Sequence, residues 1–136
     1  MTPNGMNSSV WDEAIIQHAM NLYHDSSQYS FQTSIEDSLL TPDNVDLWRE
    51  CSVKASGSSK ACVTEWAEES FRDALTYAYG DENGKEVVDG DALTEEYFET
   101  RLEVVERRLA AGGVRLAATL EEIFGDSEER EVVMIA

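Results

Sequence analysis

The sequence predicts an all-α fold, and three observations carry that prediction. Apolar side chains recur every three or four residues through most of the 136-residue chain. No stretch alternates apolar and polar side chains as a half-buried strand would. Thr, Pro and Gly fall at the ends of the periodic stretches, where helices start and stop. A hydrophobic content of 42% can build a core, so a net charge of −18 does not signify disorder. The length fits one domain, at roughly 100–200 residues per domain. Neither Pro3 nor Pro42 sits in a linker-like stretch, and no internal repeat is present.

The elements follow in chain order. From Val10 to His24, the positions of Trp11, Ala14, Ile15, Ala19 and Leu22 make the stripe of a helix buried on one side. Ser9, three residues before Asp12, resembles a capping box with an acid in the first turn. Phe31, Ile35 and Leu39 predict a short helix over 31–39. Thr41-Pro42-Asp43 reads as an N-cap followed by an N1 proline, leading into Val45, Leu47 and Trp48. The Ser-rich stretch 52–61 reads as a loop bracketed by Cys51 and Cys62. A helix over 64–79 would turn Trp66, Ala67, Phe71, Ala74, Leu75 and Ala78 inward and stop at Gly80. An acidic surface loop covers 81–91. Thr94 then caps a helix carrying Tyr97, Phe98, Leu102, Val105 and Leu109. Gly112-Gly113 is expected to interrupt that helix or to allow close packing. The pattern resumes through Leu116, Ala117, Leu120 and Ile123 to Gly125, and a tail of acidic then apolar residues closes the chain.

Composition excludes several classes. Two histidines and two cysteines rule out a zinc-finger array and a disulfide-dense mini-protein. The 28 acidic against 10 basic residues leave no broad cationic face to grip nucleic acid. No run of 18 apolar residues would span a membrane, and residues 1–10 show no secretory signal pattern. The compartment therefore stays open.

Few residues could carry chemistry. Asp12, His18 and His24 are six residues apart, and each step turns the side chain about 120° from the last on a helix. They cannot converge on one ion, so both histidines are expected to be structural, His24 beside a helix C-terminus. Cys51 and Cys62 suit a disulfide stabilising by about 2–3 kcal/mol, or two free thiols in a reducing compartment. No Gly-x-Ser-x-Gly elbow and no phosphate loop is present. Asn7-Ser8-Ser9 is a glycosylation sequon, relevant only to a secreted chain. The acidic run 81–106 reads as a solvated face.

Five pieces in order carry a family resemblance: Val10-Trp11-Asp12-Glu13-Ala14-Ile15-Ile16; Trp66-Ala67-Glu68-Glu69-Ser70 with Ala78-Tyr79-Gly80; Leu93-Thr94-Glu95-Glu96-Tyr97-Phe98; Arg101-Leu102 through Arg108-Leu109-Ala110; and Gly112-Gly113-Val114-Arg115-Leu116-Ala117-Ala118-Thr119-Leu120 to Phe124. Over residues 10–124 they resemble the C-terminal half of the zinc-dependent single-strand-specific nucleases, the nuclease S-one/P-one family. The resemblance implies a helical bundle matching the C-terminal part of a phospholipase-C-like fold. It implies hydrolysis of phosphodiester bonds in single-stranded DNA and RNA, and of nucleotide 3′-phosphates, at a three-zinc cluster. Bound metal would make water nucleophilic near neutral pH and supply the positive charge that an acidic protein lacks.

The same resemblance makes Asp12 a zinc ligand and pairs Cys51 with Cys62 in a local disulfide. It casts Arg115 as an internal ion-pair partner. It also exposes a departure: the family carries a ligand histidine four residues before that Asp, and here the position is Ser8. The other family ligands lie upstream of the matched half, and two histidines cannot furnish three zinc sites. The expectation is a chain with segments 1–9, 10–124 and 125–136 that is inactive in isolation. Its zinc would be absent or incomplete, and single-stranded nucleic acid or nucleotides would bind only with the missing half supplied. The rival expectation is a metal-free, non-catalytic relative acting as a binding or assembly subunit. Either way, exposed apolar helix faces would invite self-association or a partner chain.

Overall fold

The structure is a computed structural model that describes residues 10–51, 59–88 and 91–125. It is all-α, as the periodicity predicts. A single π-turn at Val10–Ala14 leads into α1 (Ile15–Tyr23), followed by α2 (Gln28–Leu39), α3 (Pro42–Arg49) and α4 (Ser59–Asp73). A second π-turn at Ala74–Ala78 continues α4, and α5 runs Glu95–Phe124. Among the described residues the only β-type pairing is an isolated bridge between Gly80 and Glu86, in the expected acidic loop, where Val87 is nevertheless buried. No described helix is long and apolar enough to cross a membrane.

Local chemistry sets the boundaries. Asp25 and Ser26 adopt positive φ after α1, and the Ser26 N–H reaches back to the Met20 carbonyl at 2.9 Å, closing the helix end. Ser27 then caps α2 by accepting from the Ser30 N–H at 3.1 Å, so this helix starts three residues before its apolar pattern does. Thr41 accepts from Asn44 N–H at 3.3 Å with Pro42 behind it, as the sequence foretells. Thr94 does the same for α5 through the Tyr97 N–H at 2.9 Å. The expected cap at Ser9 lies outside the described residues.

α5 is the spine. At 30 residues it is about 45 Å long. Ile15, Ala19, Phe31, Ile35 and Trp48, from α1 to α3, pack against its Phe98, Val105, Ala110 and Ala111. Phe98 and Ile15 are fully buried. Gly112 and Gly113 neither break α5 nor admit a close neighbour, since a Cβ at either would meet nothing within 4 Å. Two glycines each cost roughly 1 kcal/mol in a helix interior, and the helix is held on either side of them by the packing of Ala110 and Ala111 and by the Arg115–Glu69 ion pair.

α4 differs most from expectation. It starts at Ser59, inside the predicted loop, and Phe71 and Leu75 point to solvent instead of the core. Leu22 and Leu47 are likewise exposed. No residue of the second π-turn is buried. The inward side of α4 carries Glu69 and Asp73, which meet arginines of α5. A Cys51–Cys62 disulfide, with Cα atoms 5.5 Å apart, ties its start to the end of α3.

Candidate functional site

Asp12 sits exposed on the first π-turn, beside the half-buried Trp11. Isolated π-turns within helices occur frequently at functional sites. This one is fixed from a distance of 86 residues: the Trp11 indole N–H donates to the Tyr97 hydroxyl at 3.1 Å. Tyr97, 2% exposed, in turn donates towards the Ala78 carbonyl at 3.3 Å and lies 3.5 Å from that of Tyr77. One phenol therefore holds both π-turns.

Arg101 completes the junction. Its guanidinium donates to the Tyr77 carbonyl at 3.0 Å, the Gly80 carbonyl at 2.7 Å and the Thr100 hydroxyl at 2.9 Å, and stacks over the Tyr97 ring. These bonds satisfy carbonyls that the end of the second π-turn leaves without helical partners. Periodicity draws Tyr97 as a core position and says nothing of Arg101 as a cap. The arginine is flanked by Glu99, Thr100 and Glu103 but falls at helical spacing from Tyr97, Phe98, Val104 and Val105. Only that placement on their side of α5 hints at a buried cation.

The two π-turns face one cleft of about 390 Å³. Val10 and Trp11 line one wall, and Ala74, Ala78 and Tyr79 the other. Ser70, Asp73 and Arg108 form its polar corner. Arg108 bonds Glu69 and Ser70 and lies 3.6 Å from Asp73. Arg115, 8% exposed, pairs with the other side of Glu69 at 2.7 Å and covers the Trp66 ring, the internal role the resemblance implies. Partial burial pushes the Glu69 carboxyl upwards. The hydrogen bond and charge of Arg115, and then those of Arg108, outweigh burial and hold it below the usual carboxylate range. Both cations are thereby neutralised within the fold and unavailable as a phosphate clamp.

The histidines do not join Asp12. His18 stacks edge-on against Phe98, with its Nε2 3.6 Å from Glu95, while His24 packs against Phe31 and lies 3.3 Å from the Ser30 hydroxyl. Among the described residues no three His, Cys, Asp or Glu side chains group so as to hold a metal ion. A three-zinc cluster therefore does not fit the described side chains by themselves. Asn7 and Ser8 lie outside the described residues, as does the tail from 126.

An all-α scaffold with an exposed Asp on a Trp-anchored turn defines a helical domain built around α5. Its family follows from sequence comparison. The profile of the family described as S1/P1 Nuclease matches residues 8–125, and the chain belongs to that family. It is 37% identical over 117 residues to Endonuclease 4 and 39% identical over 117 residues to Endonuclease 5, both of Arabidopsis thaliana. To Endonuclease 2 of the same plant it is 38% identical over 118 residues. These alignments cover 85% of this chain but only 36–37% of the relatives, so the chain spans about a third of their length.

Proposed function

We propose that this chain supplies the Asp12-bearing helical part of a metal-assisted phosphodiester hydrolase acting on single-stranded nucleic acid. By itself it does not turn over substrate. The observation that carries the reading is Asp12, an exposed carboxylate on a turn held by the Trp11–Tyr97 hydrogen bond within a family motif. Residues 10–124 form the family-like unit, with 1–9 and 125–136 flanking it.

Zinc, where bound, would make water nucleophilic and offset phosphate charge. The described residues do not complete such a site, with Ser8 where the family has a histidine, so no hydrolytic step is assigned to them. The missing ligands would come from polypeptide beyond these residues.

A second reading has a specific observation in its favour. Both histidines are engaged with aromatic rings of the core, as in a scaffold that works without metal. The chain would then be a binding or assembly subunit whose uncovered apolar faces close by self-association or by a partner chain.

The test incubates the purified chain with single-stranded DNA and zinc, alone and mixed with the unmatched portion of Endonuclease 2. Nuclease parentage predicts hydrolysis only in the mixture, abolished by Asp12→Asn. No hydrolysis in either arm supports the scaffold. Turnover by the chain alone contradicts both.

A further inference from the structure

The orientation of α4 is the inverse of an ordinary surface helix. Its charged residues Glu69 and Asp73 face inward to Arg108 and Arg115, while Val63, Ala67 and Phe71 face water. Val63, Phe71, Leu75 and, just past the second π-turn, Tyr79 are 60%, 64%, 55% and 59% exposed. With the exposed Ala67 they fall every four residues, a ridge about 24 Å long. Ridges of this spacing interdigitate with their own kind in the commonest class of helix packing. Isolated exposed apolar residues mean little, but a contiguous outward ridge marks an interaction surface.

The charges beside the ridge identify what covers it. In a chain of net charge −18, the row next to the ridge reads Thr64, Glu68, Arg72 and Thr76, which is neutral in sum. Glu68 and Arg72 are exposed, four residues apart, and flank Phe71. An antiparallel two-fold axis near Phe71 preserves the side on which that row lies. It therefore sets Glu68 of each copy against Arg72 of the other, forming both cross-pairs at once, while Ala67 meets Leu75. Such self-complementarity is what an isologous interface requires.

We propose that a second copy of this chain covers the ridge, antiparallel, with the two Phe71 side chains at the axis. Pairing through this ridge does not depend on the chemistry assigned to Asp12. The experiment is sedimentation equilibrium of the full chain over a concentration series, at about 0.15 M salt, which screens the −18 charges on each copy beyond roughly 8 Å while retaining close ion pairs. A monomer–dimer equilibrium is expected. Phe71→Ser should raise its dissociation constant at least about tenfold. Glu68→Arg alone and Arg72→Glu alone place like charges across the axis, and each should weaken the dimer. The double variant Glu68→Arg/Arg72→Glu restores both cross-pairs and should recover it. All three positions touch solvent, and unchanged circular dichroism verifies folding. A monomer at every concentration, or a dimer that fails to recover in the double variant, overturns the proposal.

Discussion

The Trp11 indole N–H and the Tyr97 hydroxyl, 3.1 Å apart and 86 residues distant in sequence, join the turn that carries Asp12 to the longest helix of the fold. Because the same hydroxyl also faces the Tyr77 and Ala78 carbonyls, its loss loosens both π-turns. Tyr97→Phe should destabilise the chain by about 1–2 kcal/mol in urea unfolding. In a double-mutant cycle with Trp11→Phe, the two changes should be less than additive by about 1 kcal/mol. Full additivity would mean that the hydrogen bond contributes nothing.

Acid should loosen α4 before the core. Glu69 is held below its ordinary value of 4.5, so its contribution is present above that pH and is lost as pH falls through the lower folded value. Glu106 runs the other way. Partial burial pushes it upwards, with His24 opposing and Glu103 adding to the shift, so its charged form is a penalty that appears as pH rises. Glu106→Gln should therefore stabilise the chain at pH 7 and make no difference well below 4.5. Glu69→Gln should destabilise by about 2 kcal/mol at pH 7, because Arg115 is left buried without a carboxylate. Unfolding curves of both variants at pH 3 and pH 7 check these signs.

Continuity of α5 is open to a direct test. Gly112→Ala and Gly113→Ala sit in a helix interior with open space around them, so each should stabilise by about 0.5–1 kcal/mol. A helix broken at this point would gain nothing from either change.

The Cys51–Cys62 disulfide closes a short loop between α3 and α4. Its reduction should cost about 3 kcal/mol on a chain-entropy estimate. Hydrogen exchange in the reduced chain should rise first over α4, where no described side chain is buried, and later over α5.

Much of this fold is legible in the sequence wherever a local signal decides the outcome. Thr41-Pro42 and Thr94 fix helix starts through hydrogen bonds within three residues, and Phe31 and Ile35 show by spacing which side of α2 is buried. What the sequence conceals is set by long-range partners. Periodicity draws the Ala67–Phe71–Leu75 stripe but turns it inward, because it cannot say that Arg108 and Arg115, some forty residues on, hold the opposite side against α5. Gly112-Gly113 reads as a break because local propensity is visible while the packing on either side of it is not. The Asp12 turn is marked by its motif, whereas the Tyr97 and Arg101 junction that holds it follows from no spacing rule.

Zinc stoichiometry tests the central claim most directly: this chain holds one piece of a nuclease site and not the whole. The purified 136-residue chain, equilibrated with zinc, passed through a desalting column and analysed for metal, should retain well under one zinc per chain. Asp12→Asn should leave that value unchanged. Retention of three zinc ions per chain would contradict the account.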